Sequence, residues 1–137
     1  MKLTGVSLGP GDPGLITRRA WEALTSGARW LYPVKRSGGD SYALDIARRA
    51  GLAVPEDAVP LVFPMTRQAD VLERAWQRAA RQVIALAQES PEFVFLVEGD
   101  ASTFATFGHL ARTLEALAPG WEIETLPGVP SFVAAAA

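Results

Sequence analysis

Runs of apolar residues alternate along the chain with segments whose apolar positions recur at helical spacing, so strand and helix follow one another in regular order. The most informative run is FVFLV, Phe93 to Val97, apolar throughout with no polar alternation. Such a run suits a strand buried on both faces of a parallel sheet, and it is read as the central strand. Glu98, Gly99 and Asp100 stop it, and Ser102 is placed as the cap of a helix carrying Phe104, Phe107, Ala111, Leu114 and Leu117 at helical spacing. Upstream, Leu3 to Leu8 predicts a first strand, with Gly5 inside it where a neighbouring backbone or a ligand approaches closely. Thr17 caps a helix with Ala20, Trp21 and Leu24 on one face, and Gly27 ends it. Ala28 to Tyr32 predicts the second strand, and Ser41 to Ala50 a helix closed by Gly51. A short third strand near Ala58 to Phe63 is framed by Pro55 and Pro60. Thr66 is placed as the cap of the longest helix, with Leu72, Trp76, Ala79, Val83 and Leu86 along one face. After Pro119-Gly120, the acids Glu122 and Glu124 alternate with Trp121 and Ile123, which predicts an edge strand to Leu126. Pro127 to Ser131 turns into a further helix that has barely begun at Ala137, so a piece of a longer protein is expected.

The order predicts one α/β domain with a mostly parallel, five-stranded sheet, right-handed crossovers and helices on both faces. A chain of 137 residues, 49% hydrophobic, is long enough to bury a sizeable core. Its net charge of -2 comes from 13 basic and 15 acidic residues spread along the chain, which argues against a nucleic-acid partner. Cysteine is absent and His109 is the single histidine, so thiolate catalysis and a zinc site are not expected. No apolar run approaches the roughly 18 residues of a membrane helix, and no signal-peptide pattern opens the chain, so a cytoplasmic location is expected.

Candidate chemistry lies in the loops at predicted strand ends. Small ligands of open parallel sheets bind outside the carboxyl ends of the strands, which points to Gly99 to Thr103 for a polar ligand. Gly9, Gly11 and Gly14 match the dinucleotide pattern G-x-G-x-x-G. Pro10 and Pro13 lack the N–H groups a phosphate cradle uses, and no acid ends the second strand; Lys35 and Arg36 keep an NADP oxidoreductase as one alternative. A non-catalytic partner surface is another. Asp100 either caps its helix or contacts a ligand, and Asp12 either braces its turn or touches substrate. His109 is read as a partly exposed surface residue, the arginine pairs Arg18-Arg19 and Arg48-Arg49 as solvated helix faces, and the tryptophans as core or interface.

Three loops at strand ends, LGPGDPGLIT at Leu8 to Thr17, EGDASTF at Glu98 to Phe104 and LPGVPSF at Leu126 to Phe132, together resemble the tetrapyrrole methylases over the whole chain. Within that family, Tyr32-Pro33, Phe63-Pro64-Met65-Thr66 and Ser102-Thr103-Phe104 look most like the precorrin-2 C20-methyltransferases of cobalamin synthesis. The resemblance implies an S-adenosylmethionine-dependent methyltransferase of two domains, this chain being the first, with the active site between them and a homodimer when intact. It implies cofactor contacts at Pro10, Gly99, Asp100, Ala101, Ser102, Thr103, Ser131 and Phe132, and substrate contacts at Gly11 and Asp12. It names no catalytic residue and no metal. Ala101 stands where the family often has proline, and Pro130 where it often has serine; neither change removes a side-chain ligand. A sulfonium cofactor suits a wall of carbonyl groups and small residues, so the loop prolines are compatible with it. Arg18, Arg19, Lys35 and Arg36 are the cations expected to meet the carboxylates of the substrate.

Overall fold

A computed structural model describes residues 1–98 and 101–128, with the side chains of 101–104 outside the description. Five strands form one sheet: β1 (Lys2–Ser7), β2 (Arg29–Val34), β3 (Val59–Val62), β4 (Glu92–Val97) and β5 (Glu122–Leu126). Their order is β3-β2-β4-β1-β5 and every pairing is parallel. β4 is therefore the central strand and β5 an edge, as their apolar run and alternating pattern predict.

The apolar run of β4 feeds two cores. Phe93, Phe95 and Val97 point to one face and pack with Ala79, Ala80 and Val83 of α3 (Ala69–Leu86) and with Phe107, Leu110, Ala111 and Leu114 of α4 (Ala101–Leu117). Val94 and Leu96 point to the other, against Ala20 and Leu24 of α1 (Arg18–Leu24) and Ala43, Leu44, Ile46 and Ala47 of α2 (Tyr42–Arg49). Alternate residues of a pleated strand face opposite ways, so a strand covered on both sides needs apolar residues at every position. Gly5 of β1 faces α4: a Cβ there would lie 2.7 Å from the ring of Phe107. The close neighbour is an aromatic side chain, neither backbone nor ligand.

Local signals place most helix ends. Thr17 Oγ1 accepts from the Ala20 N–H at 3.1 Å, so that cap is where the pattern puts it; Ser41, expected as the first residue of its helix, is instead its cap, with Oγ accepting from the Leu44 N–H at 3.3 Å. Thr66 does not cap α3. Its hydroxyl accepts from the Gln68 N–H at 3.1 Å in the preceding turn, and the helix begins at Ala69 with no side-chain cap. Ser102 lies inside the first turn of α4, which starts at Ala101, so it does not precede that helix as a cap would. β2 runs on to Val34 and contains Pro33, and Pro60 stands within β3. β3 is an edge strand, where a missing N–H costs no ladder bond on the open side. Trp21 is exposed, because α1 buries a stripe through Ala20 and Leu24 only. Trp30 is buried and donates its indole N–H to the Leu24 carbonyl at 3.1 Å. The helix expected beyond Ser131 lies outside the described residues.

At the amino ends of the strands the Lys2 ammonium meets Glu124 of the edge strand at 2.9 Å. Their hydrogen bond, and then their charges, raise the Lys2 pKa above its ordinary 10.5 and lower that of Glu124 below its ordinary 4.5. The lysine contribution is complete below 10.5 and is lost as pH rises through the raised value; the glutamate contribution is present above 4.5 and is lost as pH falls through the lowered one. Both act at neutral pH. Glu124→Gln is expected to lower the melting temperature slightly at neutral pH in dilute salt, with the difference shrinking in about 1 M salt and in strong acid. Melts across pH and salt test this, and a difference that persists in acid would assign the effect to packing.

Candidate functional site

The helices after β1 and β2 cover one face of the sheet and those after β3 and β4 cover the other. Because β4 lies between β2 and β1, the chain leaves neighbouring strands toward opposite faces on both sides of β4. Crevices open at the carboxyl ends of strands where this happens.

The first crevice is widened by a short ladder. β2 pairs with β4 only over Arg29–Leu31 against Phe93–Phe95, whereas β1 stays paired with β4 as far as Ser7 opposite Val97. Pro33, with no N–H to donate, lies in the stretch of β2 beyond that ladder. A cavity of about 710 Å³ opens there. Among the described residues its walls are Pro33, Val34 and Lys35 from the end of β2, and Asp40, Ser41, Tyr42, Asp45 and Arg48 from the following loop and α2. Phe63 and Met65 close it from the end of β3, and Glu98 and Thr106 from the side of β4 and α4.

At the second switch point, between β4 and β1, the glycine-proline loop follows the carboxyl end of β1. The Gly9 N–H donates to the buried Ser7 hydroxyl at 3.2 Å, and the Gly14 N–H donates to Asp12 Oδ1 at 2.9 Å. Asp12 thus braces its turn: it is the cap of a short 3-10 turn, Pro13–Leu15. Gly11 is buried with φ of +113°, and a Cβ on it would lie 2.7 Å from the Tyr42 hydroxyl oxygen. That contact sets the loop against α2, whose Tyr42 also lines the cavity. Gly128 of the third loop lies over the same strand end, where a Cβ would collide with the Ser7 hydroxyl and sit 3.2 Å from the Gly9 nitrogen. The first and third loops are in contact.

This geometry does not suit a dinucleotide. A pyrophosphate cradle places the glycines directly at a helix N-terminus, but here a 3-10 turn and Thr17 intervene and α1 starts only at Arg18. The sequence model of the Tetrapyrrole (Corrin/Porphyrin) Methylases matches residues 2–137. The chain belongs to the tetrapyrrole methylase family. Among its relatives, the cobalt-precorrin-2 C(20)-methyltransferase of Salmonella typhimurium is 37% identical over 136 residues, 99% of this chain and 56% of that protein. The precorrin-2 C(20)-methyltransferase of a Sinorhizobium species is 30% identical over 142 residues, 96% of this chain and 55% of that protein. The uroporphyrin-III C-methyl transferase of Thermus thermophilus, solved with S-adenosyl homocysteine, superposes with a TM-score of 0.62 at 25% identity, covering 99% of this chain and 48% of that one. The chain spans about half the length of the curated relatives it matches, 56% for the Salmonella protein.

Within this tetrapyrrole methylase domain, the residues singled out from the sequence fall into three groups. Pro10, Gly11 and Asp12 stand together on the first loop, Pro10 half-buried and Asp12 exposed. Gly99, Asp100, Ser131 and Phe132 lie outside the described residues, and Ala101, Ser102 and Thr103 are known only as the opening backbone turn of α4. Of the four cations expected near substrate, only Lys35 lines the cavity. Arg18 is paired with Glu22 at 3.1 Å and Arg19 with Glu124 at 3.5 Å, while Arg36 is exposed on its loop. Tyr42, Arg48, Met65 and Glu98 line the cavity without having been assigned a role from sequence. Glu98 directly follows β4 and Met65 stands three residues after β3, so both were findable by that rule; Tyr42 and Arg48 sit on a helix whose open side has no signature. His109 is half-buried, stacked on Trp76 at 3.9 Å between ring centres, with Arg112 at 2.7 Å from its Nδ1.

Asp12→Ala removes the acceptor of the Gly14 N–H and is expected to cost about 1 kcal/mol of stability, the loss typical of a capping side chain. Asp12→Asn keeps an acceptor and should lose less. Thermal melts of both variants check this; an equal loss would show that the charge, not the hydrogen bond, holds the turn.

Proposed function

We propose that this chain is the first domain of a two-domain enzyme that transfers a methyl group from S-adenosylmethionine to C20 of precorrin-2 or cobalt-precorrin-2. The observation that carries the reading is the 37% identity to the Salmonella C(20)-methyltransferase across 99% of the chain. The crevice agrees with it. Its first wall is backbone and small residues, with Gly11 and Gly128 at points where a Cβ would meet a neighbour, and the one carboxylate of the loop is held by Gly14. That wall fits a sulfonium ligand better than a diphosphate, since Pro10 and Pro13 offer no N–H.

When bound, the cofactor supplies an electrophilic methyl group. The residues assigned to hold it are Pro10, Gly99, Asp100, Ala101, Ser102, Thr103, Ser131 and Phe132, with Gly11 and Asp12 facing the acceptor. Displacement at a methyl carbon needs alignment rather than a protein nucleophile, and well-oriented reactants gain up to about 7–11 kcal/mol from positioning alone. The part of this chain in that task is to be rigid, and the hydrogen bonds of Ser7, Asp12 and Thr17 hold the first loop at three successive points. By the same resemblance we place the full-length enzyme as a homodimer, and from its sequence pattern in the cytoplasm; among the described residues no helix is long and apolar enough to cross a membrane.

Calorimetry on the full-length protein tests the cofactor. S-adenosylhomocysteine is expected to bind and NADPH to give no heat; the reverse result would replace this reading with the oxidoreductase one.

A further inference from the structure

The structure assigns Lys35 and Arg48 as a paired anchor for the carboxylate side chains of the tetrapyrrole in the cavity between β2 and β4, with Tyr42 and Met65 as the apolar surface under its ring. This deepens the methyltransferase reading and rests on it. The two cations share a cavity of about 710 Å³ at the carboxyl end of the sheet. Most other cations of the chain are already engaged: Lys2 and Arg19 with Glu124, Arg18 with Glu22, Arg29 with Glu89, Arg49 with Asp45, Arg74 with Asp70. Lys35 and Arg48 are exposed and have no side-chain partner among the described residues. On α2 the contrast is local: Asp45 of the cavity wall is paired with Arg49 at 3.2 Å, whereas Arg48, one residue before Arg49, makes no ion pair among the described residues.

The apolar part of the wall faces solvent: Met65 is 78% exposed and Tyr42 50%. A thioether and an aromatic face adapt to a flat, partly apolar macrocycle, while fixed cations bind acids at its rim. Asp40, also in the wall, is an acceptor suited to pyrrole N–H groups, so the lining offers both an acceptor for N–H donors and cations for carboxylates. Arg18 and Arg19 do not line this cavity and are paired with acids on α1 and β5.

The test uses the full-length protein with uroporphyrin III, a stable carboxylate-rich tetrapyrrole, followed by fluorescence titration, alongside steady-state methylation of precorrin-2. Lys35→Ala and Arg48→Ala are each expected to weaken uroporphyrin binding and raise KM by roughly tenfold, as for loss of a hydrogen bond to a charged group, with kcat and S-adenosylhomocysteine affinity nearly unchanged. Lys35→Arg and Arg48→Lys should recover most of the loss. Arg67→Ala and Arg78→Ala, exposed cations outside the cavity, should leave KM where it was. Parent protein that binds and methylates its tetrapyrrole while both alanine variants match it in KM would overturn the anchor and spare the methyltransferase reading. Parent protein that binds cofactor but neither binds nor methylates any tetrapyrrole would overturn the reading and the anchor with it.

Discussion

Gly5→Ala is expected to destabilise the domain by about 1–2 kcal/mol. The new Cβ would lie 2.7–2.9 Å from three carbons of the Phe107 ring, closer than real Cβ contacts come. Phe107 is nearly fully buried and its ring centre is 5.7 Å from that of Phe95, so it has little room to retreat. Overpacking of this kind costs about 1–3 kcal/mol, while removing a glycine from a strand returns about 0.5–1 kcal/mol. The steric cost wins. Phe107→Leu, destabilising alone, should be less so in the Gly5→Ala background, giving a favourable coupling in a double-mutant cycle read by denaturant melts. Strictly additive losses would mean that the ring and the strand do not press on one another.

Gly11→Ala should combine a stability loss with a loss of binding. At φ of +113° an L-residue is strained, at a cost of about 1–3 kcal/mol, and the added methyl would stand 2.7 Å from the Tyr42 hydroxyl oxygen. Gly27→Ala is the natural control: its φ is +92° but nothing lies within 4 Å of the new Cβ. Both variants should melt lower. Only Gly11→Ala should also weaken S-adenosylhomocysteine binding, by roughly tenfold or more, because its loop walls the crevice and a 1.4 kcal/mol displacement cost is a factor of ten. Adding Tyr42→Phe, which removes the oxygen the methyl would meet, should restore part of that loss. Equal affinities for the Gly11→Ala and Gly27→Ala proteins would separate the first loop from cofactor binding.

The parts of the fold legible in the sequence are those decided by local periodicity. The unbroken run of β4 announces burial on both faces, and the alternation of Glu122 and Glu124 with apolar neighbours announces an edge. Thr17 is legible as a cap because it directly precedes its helix. Thr66 misleads: its hydroxyl is spent on the Gln68 N–H two residues on, ahead of the helix. Pro33 and Pro60 look like strand breakers, yet each stands where a ladder bond is not required, a fact set by strand order and not by neighbours in sequence. The candidate site divides the same way. The glycine-proline loop is visible as a motif, and its contact with Tyr42 is not, because that contact joins Gly11 to a helix beyond the next strand. Arg48 likewise becomes notable only when Asp45 is seen paired with Arg49 beside it. Arg18 and Arg19 look available in the sequence and are engaged in space by Glu22 and Glu124.

The most direct test of the methyltransferase reading is to incubate the full-length protein with precorrin-2, with and without cobalt, and S-adenosylmethionine carrying a carbon-13 methyl group, and then to locate the label by NMR. The label is expected at C20 of the product. Label on a different ring carbon would contradict the C20 assignment, and an unlabelled tetrapyrrole would contradict methyl transfer itself.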